Sequence, residues 1–175
     1  MSKRQPKDPL DIRHGKEFEK EVHEAFRPLY LKYPIRWERV LDTYDAGSMV
    51  RKADCDFKIT VNSGIMGRPW VINIECKASR KHTSLQDGGA LRSLIKSDQI
   101  ATMRIALRSG VLGQYWFKSV ETGRIEIWKA EDVIRGWGMK NTRGPRLESE
   151  PWILKVQDLP KFGHTFVQGV LEQNP

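Results

Sequence analysis

The sequence predicts an α/β fold: a small mixed β-sheet flanked by helices. Three observations carry that prediction. Residues 15–27 and 90–108 repeat apolar side chains at helical spacing. Between them, residues 35–43, 54–62 and 70–78 alternate as strands do. Two more strand-like runs, 114–120 and 124–128, follow the second helix. Strands interleaved with helices in this order bury their apolar faces as an α/β sandwich.

Each element has its own signal. In the first helix, Phe18, Val22, Ala25 and Phe26 form the apolar stripe, and Pro28 stops it. Glu17, Glu21 and Glu24 leave at other angles. Glu19 lies beside Phe18 at the stripe's edge, where a carboxylate can point along the helix–sheet seam. Ile35, Trp37, Arg39 and Leu41 alternate in the first strand, and Asp45-Ala46-Gly47-Ser48 reads as a turn. Asn62-Ser63-Gly64 and Gly67-Arg68-Pro69 punctuate a hairpin-like connection between the next two strands. Residues 79–89 are polar and glycine-bearing, so a mobile loop is expected there. Leu91, Leu94, Ile95, Ile100, Met103 and Leu107 line one long helix ended by Gly110, with Gln99 midway. Glu121-Thr122-Gly123 joins the following strand pair. A short helix is expected at 131–135, a loop at 136–150 and a last strand at 152–156. The stretch from Pro160 is weakly patterned.

The 175 residues suit one domain with a real core. Residues 1–13, basic and proline-bearing, are expected to form a flexible arm that touches DNA backbone or is simply unstructured. Residues 14–175 make the domain. No apolar run approaches the roughly 20 residues that span a bilayer. The first residues lack the apolar core of a signal peptide. Cys55 and Cys76 have no zinc spacing and alternate into core faces, as free thiols do. These features give an intracellular expectation: cytoplasmic, or inside a host cell for a viral protein. Net charge is +8, which favours a polyanionic partner. Basic residues gather at Arg80 and Lys81, at Arg92, Lys96, Arg104 and Arg108, and at Arg135, Lys140, Arg143 and Arg146.

Among these basic clusters lies an acidic pair. On the strand from Val71 to Lys77, alternation puts Val71, Asn73, Glu75 and Lys77 on one face and Ile72, Ile74 and Cys76 on the other. On the preceding strand Asp56 and Lys58 project together, opposite Cys55, Phe57 and Ile59. One carboxylate from each strand, plus one ammonium, can therefore converge at a sheet edge. Two oxygen ligands that leave positions open for water and phosphate suit Mg²⁺. Such an ion neutralises phosphate charge and activates water, and Lys77 can orient that water. Glu-x-Lys on a strand is, taken alone, more often a solvated face with a weak charge pair.

A helix acid, then Asp, then Glu-x-Lys about twenty residues on, resembles the PD-(D/E)XK nuclease superfamily, with its restriction-endonuclease-like core. The nearest look is to Holliday-junction resolvases of the archaeal Hjc and bacterial RecU kinds, over residues 15–128. Gly15 and Glu19 match the first helix, Asp56 opens an apolar strand in Cys-Asp-Phe-Lys-Ile, and Glu75 and Lys77 form the pair. Gly47-Ser48 resembles a small turn before the aspartate, and Gln99 a glutamine on the following helix. Asp54, on the same face as Asp56, competes for its role. Cys55 stands where proline is common, the Asp56-to-Glu75 spacing is long, and the stretch after Trp128 has no counterpart.

The resemblance implies an endonuclease. Glu19, Asp56, Glu75 and the Cys76 carbonyl would hold Mg²⁺, with Mn²⁺ as substitute. Lys77 would position water for in-line attack, leaving 5′-phosphate and 3′-hydroxyl ends. Ser48 would contact the phosphate and Gln99 would steady the site. A homodimer would cut two opposed strands of a four-way DNA junction. Arg80, Lys81, His82, Arg92 and Lys96 would bind nucleic acid, reading shape and phosphates rather than bases. Three rivals stand beside this: a repair- or restriction-type nuclease on the same core, a binding module that does not cut, and a basic α/β domain with chance acids. Of Trp37, Trp70, Trp116, Trp128 and Trp152, most, at strand positions, are expected in the core. Trp137, between glycines in a basic loop, is the candidate for base stacking. His14, His23, His82 and His164 have no ligand spacing and are expected at the surface or at helix ends.

Overall fold

A computed structural model describes residues 9–40, 55–61, 69–87, 89–138, 147 and 149–172. Helix α1 spans Pro9–Phe26 and starts inside the stretch expected as an arm. A 3₁₀ turn, Arg27–Leu31, carries Pro28 in its first positions, where a missing N–H costs nothing. Strands β1 (Ile35–Arg39), β2 (Phe57–Val61) and β3 (Trp70–Ser79) follow. Then come α2 (Ala90–Leu94), α3 (Ser97–Arg108), β4 (Leu112–Ser119), β5 (Arg124–Lys129), α4 (Ala130–Gly138), β6 (Trp152–Lys155) and α5 (Leu159–Glu172).

The six strands form one mixed sheet in chain order. Only the β3–β4 pairing is parallel; the other four are antiparallel. The β3–β4 crossover is made through α2 and α3, as a parallel pair requires. The sheet separates two cores. On one face Phe18, Val22 and Phe26 of α1 and Val167 of α5 pack on Phe57, Ile59, Ile72, Ile74, Cys76 and Trp116. On the other, Leu91, Ile95, Ile100, Met103 and Val133 pack on Tyr115, Phe117 and Trp128. The expected α/β sheet flanked by helices is therefore present, and β3 is buried on both faces through Ile72–Cys76. No helix among the described residues is long and apolar enough to cross a membrane.

Several elements differ from their sequence-based expectation. The long helix is two: Ile95 and Lys96 are extended, and the Gln99 side chain turns back to accept the Lys96 N–H at 3.1 Å, starting a new helix. Periodicity missed the break because Leu91 and Ile95 before it, and Ile100 and Met103 after it, all face one core. Gln99 is thus in the first turn of α3, not midway along a helix. The weakly patterned C-terminal stretch is α5. Its stripe is Leu159, Gly163 and Val167, with glycine at the closest approach. A Cβ on Gly163 would stand 2.9 Å from Leu29 Cδ1, so the residue that spoiled the pattern is the one packing demands. Residues 136–138, expected as loop, close α4. Cys55 and Cys76 are buried, as expected.

Among the tryptophans, Trp116 and Trp128 are in the core and Trp37 stacks between Phe26 and Phe57, each at 4.9 Å. Trp70 and Trp152 are exposed, because they sit at the end of β3 and on the edge strand β6.

Candidate active site

The β2–β3 register sets Phe57 against Ile74 and Lys58 against Asn73. Asp56 directly precedes β2, and its N–H donates to Ile74 O at 3.0 Å, one residue off that register. The Asp56 and Glu75 carboxylates nevertheless both act on the Lys77 ammonium. Asp56 Oδ2 accepts the Cys76 N–H at 2.6 Å, which fixes that carboxylate against β3. Glu75 is only 4% exposed. Its Oε1 accepts from the Lys77 ammonium and from Gln99 Nε2 of α3. Lys77 Nζ also donates to the Cys76 carbonyl at 3.1 Å. Beneath this group Tyr115, paired with Glu75 across β3–β4, donates its hydroxyl to Gln99 O at 3.4 Å.

The electrostatics follow from this crowding. Burial opposes the charge on Lys77, yet the carboxylates of Glu75 and Asp56 outweigh it and its pKa is raised. Glu19 is raised as well, first by desolvation and then by Asp56, while Arg39 pulls the other way. Burial and Glu75 together push the Tyr115 phenol up. Burial, followed by Asp56 and Glu19, raises the Cys76 thiol well above its ordinary value.

Asp56, Glu75, Lys77 and Gln99 are thus brought together, and the Cys76 backbone lies among them. Glu19 is near enough to feel Asp56, but its carboxylate is held by Arg39 at 2.8 Å. Ser48 and Asp54 lie outside the described residues. Arg80, Lys81, Arg92 and Lys96 are exposed. His82 is not available to a phosphate: it is 8% exposed, and its ring meets Ser93 Oγ at 3.2 Å. His23 sits in the last turn of α1, a helix end as expected, where it is half-buried and accepts the Trp37 indole N–H at 3.1 Å. Trp137 is on α4, not in a loop; it packs on the second core with Arg92 over its ring at 5.9 Å. The 79–89 segment, expected to be mobile, buries Leu85 and His82.

Sequence reading missed the roles of Tyr115 and Glu126. The signal for Glu126 was present, since it is an acid between two isoleucines of a strand. Tyr115 gave none.

The carboxylate oxygens of Asp56 and Glu75 suit a hard cation, while Gln99 turns its amide nitrogen to Glu75 and its oxygen to the Lys96 N–H. Among the described residues no three His, Cys, Asp or Glu side chains form a group that would hold a metal. The fit therefore rests on two carboxylates, Asp56 and Glu75, and two protein ligands are what Mg²⁺ commonly takes.

Neither a protein-family model nor a curated protein sequence matches the chain. Among solved structures, it is similar to the Holliday junction resolvase Hjc of Archaeoglobus fulgidus, an archaeal hyperthermophile. The identity is 13%, the TM-score 0.42, and the match covers 84% of this chain and 93% of that one.

Proposed function

We propose that this chain is a Mg²⁺-dependent DNA endonuclease that cuts four-way junctions in pairs as a homodimer. The observation that carries the reading is that Asp56, fixed to the Cys76 N–H of β3, and Glu75 on that strand both act on the Lys77 ammonium. Two carboxylates acting on one ammonium, in a chain of net charge +8, favour a cation between them and a polyanion beside them. Asp56 and Glu75 would hold the ion, with Mn²⁺ as substitute. When bound, it would neutralise phosphate charge and lower the pKa of a coordinated water.

The remaining roles belong to the chain. Lys77 stays protonated at neutral pH and orients the attacking water or meets the charge that builds on the phosphate. Gln99 holds Glu75 in place from α3. The exposed Arg80, Lys81, Arg92 and Lys96 grip phosphates flanking the cut. Cys76 O supports Lys77, and Glu19 adjusts the local charge through Asp56.

The test is cleavage of a synthetic four-way junction beside a duplex of the same sequence, with Mg²⁺ and with EDTA. Paired, symmetric, Mg²⁺-dependent cuts in the junction alone are expected. Equal cutting of both substrates would replace this reading with a repair- or restriction-type nuclease. Tight binding with no cutting would leave a binding module.

A further inference from the structure

Glu126 takes no part in the chemistry above, yet it is a carboxylate fully buried in the sheet. It shares a cross-strand row with Phe117 and Lys77, so it faces the same side of the sheet as Glu75. A buried carboxylate is costly unless its oxygens are filled. Here Oε2 accepts from Ser84 Oγ, from the Leu85 N–H and from Trp128 Nε1, each at 3.0 Å. Oε1 accepts no hydrogen bond and is met only by the charge of the Arg124 guanidinium at 2.9 Å.

Two of those donors belong to the segment that follows β3, which ends at Ser79, two residues beyond Lys77. The other ties in that segment are mostly local. Ser79 Oγ accepts the N–H groups of Lys81 and His82 at 3.1 and 3.2 Å. Asp87 Oδ2 accepts the N–H groups of Thr83 and Ser84 at 2.6 and 3.0 Å, and the Thr83 hydroxyl at 3.1 Å. Such bonds set the shape of the turn but not its place on the sheet. Its place is set by Glu126, by the burial of Leu85, by His82 against Ser93, and by exposed Gln86, whose Nε2 donates to Ser149 O at 3.3 Å. Arg80 and Lys81 are exposed on this anchored segment.

We infer that Glu126 is a positioning residue for the substrate: it pins residues 80–87 to β5 and presents Arg80 and Lys81 as preformed phosphate contacts beside Glu75 and Lys77. The inference rests on the DNA-cleaving reading. Contacts presented on a fixed segment lose less conformational freedom on binding than contacts on a loose one.

The test measures fluorescence anisotropy of a labelled four-way junction in EDTA across a salt series. Each phosphate contact contributes about 0.9 to the slope of log affinity against log salt. The Arg80→Ala/Lys81→Ala pair should flatten that slope by about 2. Glu126→Leu, with both cations intact, should flatten it comparably and add nothing on top of the pair. Glu126→Gln, whose amide oxygen can accept the same donors, should restore it. Ser84→Ala removes one donor without touching the carboxylate. It should flatten the slope less, and it carries the test if Glu126→Leu does not fold. A Glu126 that serves stability alone would lower Tm and leave the slope unchanged, and that result, or additive losses with the cation pair, would overturn the inference. Wild-type protein that binds no DNA would overturn the nuclease reading and this inference with it. Normal wild-type binding with an unaltered slope in the variants would overturn this inference alone.

Discussion

Glu75→Gln separates the chemistry of the site from its stability. Glu75 is 4% exposed, and the Lys77 side chain it pairs with is 14% exposed. Removing one partner of a buried ion pair costs about 3–5 kcal/mol, because the other charge is left uncompensated. Two features soften this: glutamine still offers an oxygen to Lys77, and the Asp56 carboxylate also faces that ammonium. A loss of about 2 kcal/mol is therefore expected, or about 4–8 °C in Tm for a chain of this size. The Lys77 pKa should fall, since its largest supporting charge is gone while its burial remains. Single-turnover junction cleavage should drop about 10²–10³-fold, the usual loss for one group that stabilises transition-state charge. Junction affinity in EDTA should be kept. Adding Lys77→Met should recover part of the lost stability and none of the activity, because it removes the buried ammonium that Glu75→Gln leaves undercompensated. Thermal denaturation, cleavage and anisotropy read the three quantities. A cleavage rate at the wild-type level would refute the role of Glu75. A double variant no more stable than Glu75→Gln would refute the pairing as the source of its cost.

Asp56→Asn should lower the Glu19 pKa, because it removes the neighbouring charge that helps raise it; NMR titration of Glu19 reads this, and no change would separate the two groups. For Glu19 itself the folded pKa lies above the unfolded one. Its contribution to stability is full below about 4.5 and is lost as pH rises through the folded value. Glu19→Gln should erase that part of the pH dependence in urea melts, leaving a parallel profile only if the assignment is wrong. Gln99→Ala should slow cleavage by about tenfold, the scale of one hydrogen bond of about 1.4 kcal/mol to a charged group, with Kd for the junction unchanged. Gly113→Ala should destabilise by about 1–3 kcal/mol, since its Cβ would stand 2.6 Å from Met103 Sδ and 2.7 Å from Ala130 Cβ; wild-type Tm would show that the helices yield there.

Much of the sheet and the heart of the site were legible in the sequence, because strand alternation is local. Once 70–78 is a strand, Glu75 and Lys77 must share a face, whatever packs on it. The same rule pairs Asp56 with Lys58 and sends Cys55 and Cys76 into the core, where they are found. What an acid meets across space is not local. Only the tertiary structure turned Glu19 toward Arg39, set Gln99 on Glu75 and placed Tyr115 beneath them. It also drew His82 inside to Ser93 and gave Glu126 a distant segment to hold. Packing likewise made a helix of the stretch from Leu159, whose glycine reads as a breaker in sequence and as the contact to Leu29 in the fold. Periodicity tells which side of its own element a residue faces. The partner it finds there depends on which elements are laid against that side, and that is decided by the burial of two cores at once.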